Sequence, residues 1–298
     1  MNRILITGAN GFVGYYLVKK LLLQGYSVIA TCKGECRLPF KDDFFTYLPM
    51  DFTNEEQVKI VFEKYHPGVV VHLGAMSKPD ECEQNRRSAF QVNVSGSVNL
   101  LEQSRKYKSF FLFLSTDFVF DGLSGMYVEE DEAAPVNFYG ETKMLAEQEV
   151  KSYGYEWSIV RTVLVYGQTF SGRDNIVTAV ERSLKEGKTL KMFDDQVRTP
   201  TYVEDLAAGM VSIIEKKAIG IFHICGKDVL TPYGIAIAVA NQLGYDLAQV
   251  LPIKESDLNE AAKRPKKTGL NISKARRVLG YEPCSFEEGL RKTFKQSD

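Results

Sequence analysis

Cysteine is scarce in this chain, with five in 298 residues, at 32, 36, 82, 225 and 284. Cys32 and Cys36 are the only close pair and their spacing is not C-x-x-C, so the thiols read as reduced and structural. Histidine is scarcer still. His66, His72 and His223 stand far apart, the last two inside apolar runs, and no His/Cys cluster completes a metal site. An excess of one charge is also missing, because 37 Lys and Arg face 38 Asp and Glu. That balance argues against a general nucleic-acid or membrane-binding surface, while leaving room for a small anionic ligand at a local site. No apolar run reaches the roughly 18 residues that a membrane span needs. Met1 to Ile6 enters a strand-like run with no secretory signal, from which a cytoplasmic location is expected. Internal repeats and low-complexity linkers are absent too. What remains, at 44% hydrophobic and 25% charged, is an ordinary globular composition, long enough for one large α/β domain or two lobes.

The chain reads as strand and helix in alternation. Arg3–Thr7 is a short β-branched run followed by Gly8-Ala9-Asn10-Gly11-Phe12-Val13-Gly14, and from Val13 to Gln24 apolar residues recur at helical spacing until Gly25. Strand, glycine turn and helix together form the setting for a phosphate-binding loop. Glycines admit close backbone approach, and the helix N-terminus presents free N–H groups and a positive dipole end. Further strands are expected at Ser27–Thr31, Thr46–Met50, Gly68–Leu73, Phe110–Leu114 and Trp157–Leu164. Helices lie between them, including one long helix that carries Asn93 and ends near Lys108. This order predicts a doubly wound parallel sheet of Rossmann type, with ligands at the carboxyl ends of the strands.

Several residues fall at those ends. After the second strand a dinucleotide site for NAD usually has an acid on the ribose 2′-hydroxyl, but here Thr31-Cys32-Lys33 and later Arg37 supply cations. The substitution favours the 2′-phosphate of NADP(H) over NAD(H), unless the two are plain surface charges. Asp51-Phe52 is placed to border an adenine. Leu73-Gly74-Ala75-Met76-Ser77 offers small residues along the cofactor path, and Ser115-Thr116 ends the fifth strand. The acidic run Glu129–Glu132 is expected to be a solvated face.

Downstream, Tyr139 and Lys143 stand four apart on an expected helix and so share one face. Free tyrosine, with a pKa of about 10, is a slow acid at neutral pH, and a nearby cation brings its proton transfer into range. Thr116 is suited to hold a carbonyl oxygen beside that phenol. Y-x-x-x-K alone occurs by chance in many helices, so its meaning rests on this context. Beyond Gly167 the rhythm changes, and a smaller α/β lobe is expected. Residues 1–162 would bind the cofactor, the chain would return to the main sheet at about 195–225, and 163–194 with 226–298 would form the substrate lobe.

As a set, Thr7–Gly14, Ser115-Thr116-Asp117, Tyr139-x-x-x-Lys143 and Tyr202-Val203-Glu204-Asp205 resemble the extended short-chain dehydrogenase/reductases, in that order over almost the whole chain. Within them, Ser115–Gly122, Pro135-x-Asn137-x-Tyr139-Gly140-x-Thr142-Lys143, Asp195-Gln196 with Pro200-Thr201, and Arg264-Pro265 with Leu270-Asn271 look most like the dTDP-4-dehydrorhamnose reductases. The resemblance implies reduction of a 4-keto nucleotide sugar by NADPH, in the synthesis of deoxysugar precursors. Thr116, Tyr139 and Lys143 would then be catalytic. Gly8, Asn10, Gly11, Phe12, Val13, Gly14, Lys33, Asp51, Phe52, Leu73, Gly74, Ala75, Ser77, Asn93 and Ser115, together with Tyr139 and Lys143, would bind the cofactor. Thr116, Asp117, Phe118, Gln196, Arg198 and Arg264 would bind the substrate. It is also compatible with a homodimer, although no stretch identifies an interface.

Two departures stand out. Leu164 occupies a stretch where these reductases usually carry tryptophan. Gln196-Val197-Arg198 replaces their glycine with a pattern closer to the sugar-nucleotide epimerases and dehydratases, in which the arginine holds a diphosphate. An epimerase or dehydratase that keeps its NAD is thus an alternative, opposed by Phe118, which follows Thr116-Asp117 where dehydratases have a glutamate base. A non-catalytic regulatory subunit is the other, since the beta subunit of methionine adenosyltransferase resembles the same reductases; the intact Thr116, Tyr139 and Lys143 oppose it.

Overall fold

The computed structural model describes residues 3–170, 172–258 and 260–295. Its main sheet has seven parallel strands. They are β1 (Ile4–Thr7), β2 (Val28–Cys32), β3 (Phe45–Pro49), β4 (Val69–His72), β5 (Phe110–Thr116), β6 (Trp157–Thr162) and, after two short strands β7 (Val165–Tyr166) and β9 (Thr201–Tyr202) and the intervening β8 (Leu190–Phe193), β10 (Gly220–His223). The spatial order is β10-β6-β5-β4-β1-β2-β3. The connections therefore reverse direction between β1 and β4, which is where an open parallel sheet leaves a crevice for ligands.

Both faces of the sheet are covered. Side chains alternate along a strand, so Ile4 and Ile6 of β1 point to one layer and Leu5 to the other. The first layer contains α1 (Phe12–Leu23), α8 (Val203–Lys216) and α10 (Ser273–Leu279), packed through Leu17, Leu21, Leu206, Met210 and Ala275. The second is built by α2 (Glu55–Tyr65), α5 (Gly96–Tyr107) and α6 (Phe138–Lys151), through Val58, Phe62, Leu100, Leu101, Ala146 and Val150. A separate core joins α7 (Ile176–Lys185), α9 (Pro232–Leu243), α11 (Phe286–Phe294), β8 and its parallel partner β11 (Val250–Ile253). In α7 the spacing of Val177, Val180 and Leu184 gives one apolar stripe, and Asn175 caps the helix start. Residues Leu270 to Tyr281 pack with the main-sheet layer and not with this smaller core.

The helix expected to run unbroken through Asn93 is in fact four pieces. Helices α3 (Pro79–Gln84) and α4 (Arg86–Phe90) lead into a π-turn at Gln91–Ser95 and then α5. The wide turn sets Asn93 inward, where its side chain takes the Met76 N–H at 2.8 Å and donates to Met76 O at 3.0 Å and Thr142 Oγ1 at 2.9 Å. The acidic run also departs from expectation at one position. Glu129 is buried and accepts the His223 N–H at 3.0 Å, while Glu130, Asp131 and Glu132 are exposed.

Candidate active site

A cleft of about 780 Å³ lies over the carboxyl ends of β1 and β4. The chain turns out of β1 at Gly8, whose φ is +71°, and a Cβ there would stand 2.8 Å from Gly74 N. Both the angle and the space require glycine. At Gly14 a Cβ would lie 2.5 Å from Ala9 O, so this glycine lets α1 close down on the turn. Gly11 caps α1 with no side-chain bond, and the first turn holds no acid. The first-turn N–H groups are thus left to an anion.

At one end of the cleft the loop after β2 is held from behind. Asn10 Oδ1 accepts the Arg37 N–H at 3.0 Å, and its Nδ2 donates to Glu35 O at 2.9 Å and to Tyr47 Oη at 3.0 Å. Asn10 lines the cleft, yet its amide is engaged in fixing this loop. Lys33 and Arg37 both line the same end. Lys33 is paired with Asp51 at 2.7 Å, whereas no carboxylate among the described residues pairs with Arg37. Burial alone would raise the Asp51 carboxyl, but bonds from Lys33 and Thr53 outweigh it and hold the group below its ordinary value. Phe52 wedges its ring against Gly74 and Gly96, with a Cβ on Gly96 only 2.6 Å away. Asp51 and Asn93 do not line the cleft. The first acts on Lys33, and the second clamps the Met76 backbone.

The other end gathers Ser115, Thr116, Tyr139 and Lys143. Helix α6 starts at the Asn137 cap, which accepts the Gly140 N–H at 2.9 Å, and a Cβ on Gly140 would collide with Phe118 O. That contact brings Tyr139 up to the end of β5. Burial pushes the Tyr139 phenol above its ordinary value; the Thr116 hydroxyl opposes this, while Asp117 and Cys82 add to it. Lys143 is not among the groups that shift Tyr139. Its Nζ sits 3.9 Å from the centre of the Phe113 ring, and burial pushes its pKa down to about 7, with Glu147 pulling the other way. The expected lowering of the phenol by the ammonium is therefore replaced by a raised phenol beside a depressed amine. Beneath them Arg161 grips Glu147 at 3.0 and 2.7 Å, tying α6 to β6 with both side chains buried.

A second cavity of about 280 Å³ adjoins the first. Asp117, Phe118, Gln196, Arg198 and Arg264 line it, as do Lys191, Met192, Phe193 and Pro232. Leu164 and Ile176 belong to both cavities. Leu164 has φ +39°, a left-handed angle that costs a side-chain-bearing residue about 1–3 kcal/mol. Burial raises the Asp117 carboxyl against the pull of Arg198, Thr268 and Thr116, and Thr116 Oγ1 donates to it at 3.0 Å. Arg198 donates to Val197 O at 2.8 Å, Lys266 O at 3.0 Å and Gln196 Oε1 at 3.0 Å. Arg264 reaches both Asp80 oxygens, at 3.1 and 2.5 Å, and Ala262 O at 2.7 Å. It pins the 260–264 segment to α3 at the cavity wall.

Of the five buried side-chain polar atoms that lack a partner among the described residues, two belong to cavity-lining residues, Ser115 Oγ in the first cavity and Gln196 Nε2 in the second. Since buried polar groups are normally hydrogen-bonded, each is open to a water or a ligand atom. Of the expected site residues, only Asp51 and Asn93 stand back from both cavities. The walls that escaped expectation are Arg173 to Ile176, on the loop entering α7, and Lys191 to Phe193 of β8. Asn175 before an amphipathic run signals the helix start, but nothing in its spacing says that the loop faces a cofactor. Among the described residues no three or more His, Cys, Asp or Glu gather to hold a metal ion, and no helix is long and apolar enough to cross a membrane.

The family described as the RmlD substrate binding domain matches residues 1–298. The chain belongs to that family. As a member of the RmlD family it is of the extended short-chain dehydrogenase/reductase type, the class of NAD(P)-dependent oxidoreductases. The dTDP-4-dehydrorhamnose reductase of Aggregatibacter actinomycetemcomitans is 31% identical over 304 residues, covering 98% of each chain. Methionine adenosyltransferase 2 subunit beta of Mus musculus is 28% identical, covering 98% of this chain and 86% of its own. Among solved structures, dTDP-4-dehydrorhamnose reductase from Bacillus anthracis in complex with NADP superposes with a TM-score of 0.87 at 29% identity, each chain fully covered. That reductase thus shares the fold described above.

Proposed function

We propose that this chain reduces a nucleotide-linked 4-keto sugar with NADPH, with dTDP-4-dehydrorhamnose as the first substrate to test. The observation that carries the reading is the meeting of Thr116, Tyr139 and Lys143 at one end of a glycine-lined cleft, where an arginine-bearing cavity adjoins it. The residues present fit a dinucleotide, through the uncapped start of α1, the Gly8 and Gly74 contact and the unpartnered Ser115 Oγ.

When bound, the nicotinamide supplies a hydride. Tyr139 gives the proton to the sugar C4 oxygen; burial raises its pKa and so opposes the donation, which therefore rests on the phenol being held beside that oxygen. The Thr116 hydroxyl holds the same oxygen after turning from Asp117. Lys143 binds the ribose hydroxyls. Gly8, Gly11, Phe12, Val13 and Gly14 line the pyrophosphate; Phe52, Leu73, Gly74, Ala75 and Ser77 border the rest of the dinucleotide, with Lys33 at its adenosine end. In the second cavity Gln196 Nε2 and the remaining Arg198 donors take the substrate diphosphate, while Asp117 and Phe118 form the wall beside the sugar. The division of labour is not strict by segment: residues 1–162 supply most of the cofactor cleft, with Arg173 to Ile176 closing it, while the substrate cavity draws on Asp117 and Phe118, Lys191 to Phe193, Gln196, Arg198, Pro232 and Arg264.

Phe118 cannot move a proton, and its ring lies 5.9 Å from that of Tyr139, which disfavours dehydration. A panel of 4-keto nucleotide sugars, each followed by loss of NADPH absorbance, tests the reading. Stoichiometric consumption with one of them supports it. Epimerisation or dehydration without net consumption, or cofactor binding without any turnover, would replace it with the epimerase/dehydratase or the regulatory reading.

A further inference from the structure

We propose that Asp51 sets the preference between the two dinucleotides by occupying Lys33. The inference rests on the first cleft being the dinucleotide site, and it concerns the end at which NADPH and NADH differ. Three charged groups meet there. Lys33 and Arg37 line the cleft, and Asp51, just behind, holds Lys33 Nζ at 2.7 Å. Asp51 is itself fixed, because its Oδ1 accepts the Thr53 N–H at 2.9 Å and the Thr53 hydroxyl at 2.7 Å. Arg37 is placed by its backbone bond to Asn10, and no carboxylate among the described residues pairs with its guanidinium.

The two cations are therefore unequal toward a 2′-phosphate. Arg37 offers its donor fork in full and makes the main contact. Lys33 offers a charge largely cancelled by Asp51, which must be shared or released before the ammonium can serve the phosphate. The ribose 2′-hydroxyl of NADH is neutral and draws nothing from this contest. Asp51 thus weakens NADPH selectively, and the site tolerates both dinucleotides with a bias toward the phosphorylated one. Lys33 is exposed, so the effect is modest, a factor of about three to five in affinity, as for other solvent-accessible ion pairs. It shrinks as salt rises, because these charges are screened over about 10 Å at 0.1 M ionic strength.

The test is calorimetric titration of the full chain with NADPH and with NADH, in the wild type, Asp51→Asn, Lys33→Ala, Arg37→Ala and the Asp51→Asn/Lys33→Ala pair. Asparagine keeps an oxygen for Thr53, so the strand end is preserved. The ratio of the two dissociation constants is the quantity to read, because any contact of Asp51 with the adenine is common to both ligands and cancels. Asp51→Asn is expected to raise the preference for NADPH about three- to fivefold, and to have no effect once Lys33 is gone. Arg37→Ala is expected to lower it more than Lys33→Ala. An unchanged or lowered ratio in Asp51→Asn, or a rise that persists without Lys33, overturns the proposal while leaving the dinucleotide site intact. Failure of the wild type to bind either ligand overturns the reading of the cleft itself.

Discussion

The two cavities differ in what their polar groups are engaged with. Around the first, the start of α1 has no side-chain cap, and Ser115 Oγ has no partner. Around the second, Arg198 and Arg264 are already bonded to backbone carbonyls and to Asp80, so the same side chains that line the cavity also hold the loops that shape its wall. A group free of internal bonds can be altered at the expense of binding alone. A group with a second role cannot, and its loss is felt in the wall as well as in the ligand.

The comparison can be broken most decisively at the reaction end of the first cavity. Tyr139→Phe removes only the transferable proton, and is expected to cut kcat at least 100-fold, at the low end of what general acids contribute, about 10²–10⁴. NADPH affinity by calorimetry should stay within about twofold. Substantial remaining turnover would take Tyr139 out of its role. In the second cavity Arg198→Ala is expected to raise the sugar-nucleotide KM by about tenfold, the loss of one charge-assisted bond of about 1.5 kcal/mol. The NADPH dissociation constant should not move, and Tm should also fall, because the Val197 and Lys266 carbonyls lose their donor. An unchanged Tm would show that the arginine has no second role.

Lys143 sharpens the contrast through pH. Its folded pKa of about 7 lies below the ordinary lysine value, so the unfolded chain holds the extra proton between about pH 7 and 10. The folded protein should therefore gain stability as pH rises through that window, and carry the full penalty below it. Lys143→Met should flatten this part of a Tm-against-pH curve and raise Tm at pH 6; a curve unchanged by the substitution would contradict the assigned burial penalty. The smallest effect is expected from Arg264→Ala. Its contact with Asp80 is partly exposed, and its loss should cost roughly 1 kcal/mol or less and soften the 260–264 segment, read as faster amide exchange there.

The parts legible in the sequence were those governed by local rules. Short apolar runs gave six of the seven main strands within about two residues, and the glycine turn stood out by its three glycines, of which Gly8 takes the +71° angle and packs on Gly74. Thr116, Tyr139 and Lys143 were legible as types at a spacing. What could not be read was partnership across long sequence separations. Nothing near Arg264 says that Asp80 will hold it, nothing near Asn93 says that a π-turn will aim it at Met76, and nothing in the acidic run marks Glu129 as the one carboxylate turned inward to His223. The strand β11 escaped because Val250–Ile253 is short and pairs only with β8.

Leu164 and Ile176 line both cavities, and the left-handed backbone of Leu164 means that the boundary between them is held in a conformation its own residue disfavours. If the two cavities take sugar and dinucleotide as proposed, each ligand would bear on the other through this pair of side chains. By reciprocity, whatever factor the sugar lends to dinucleotide affinity, the dinucleotide returns to the sugar.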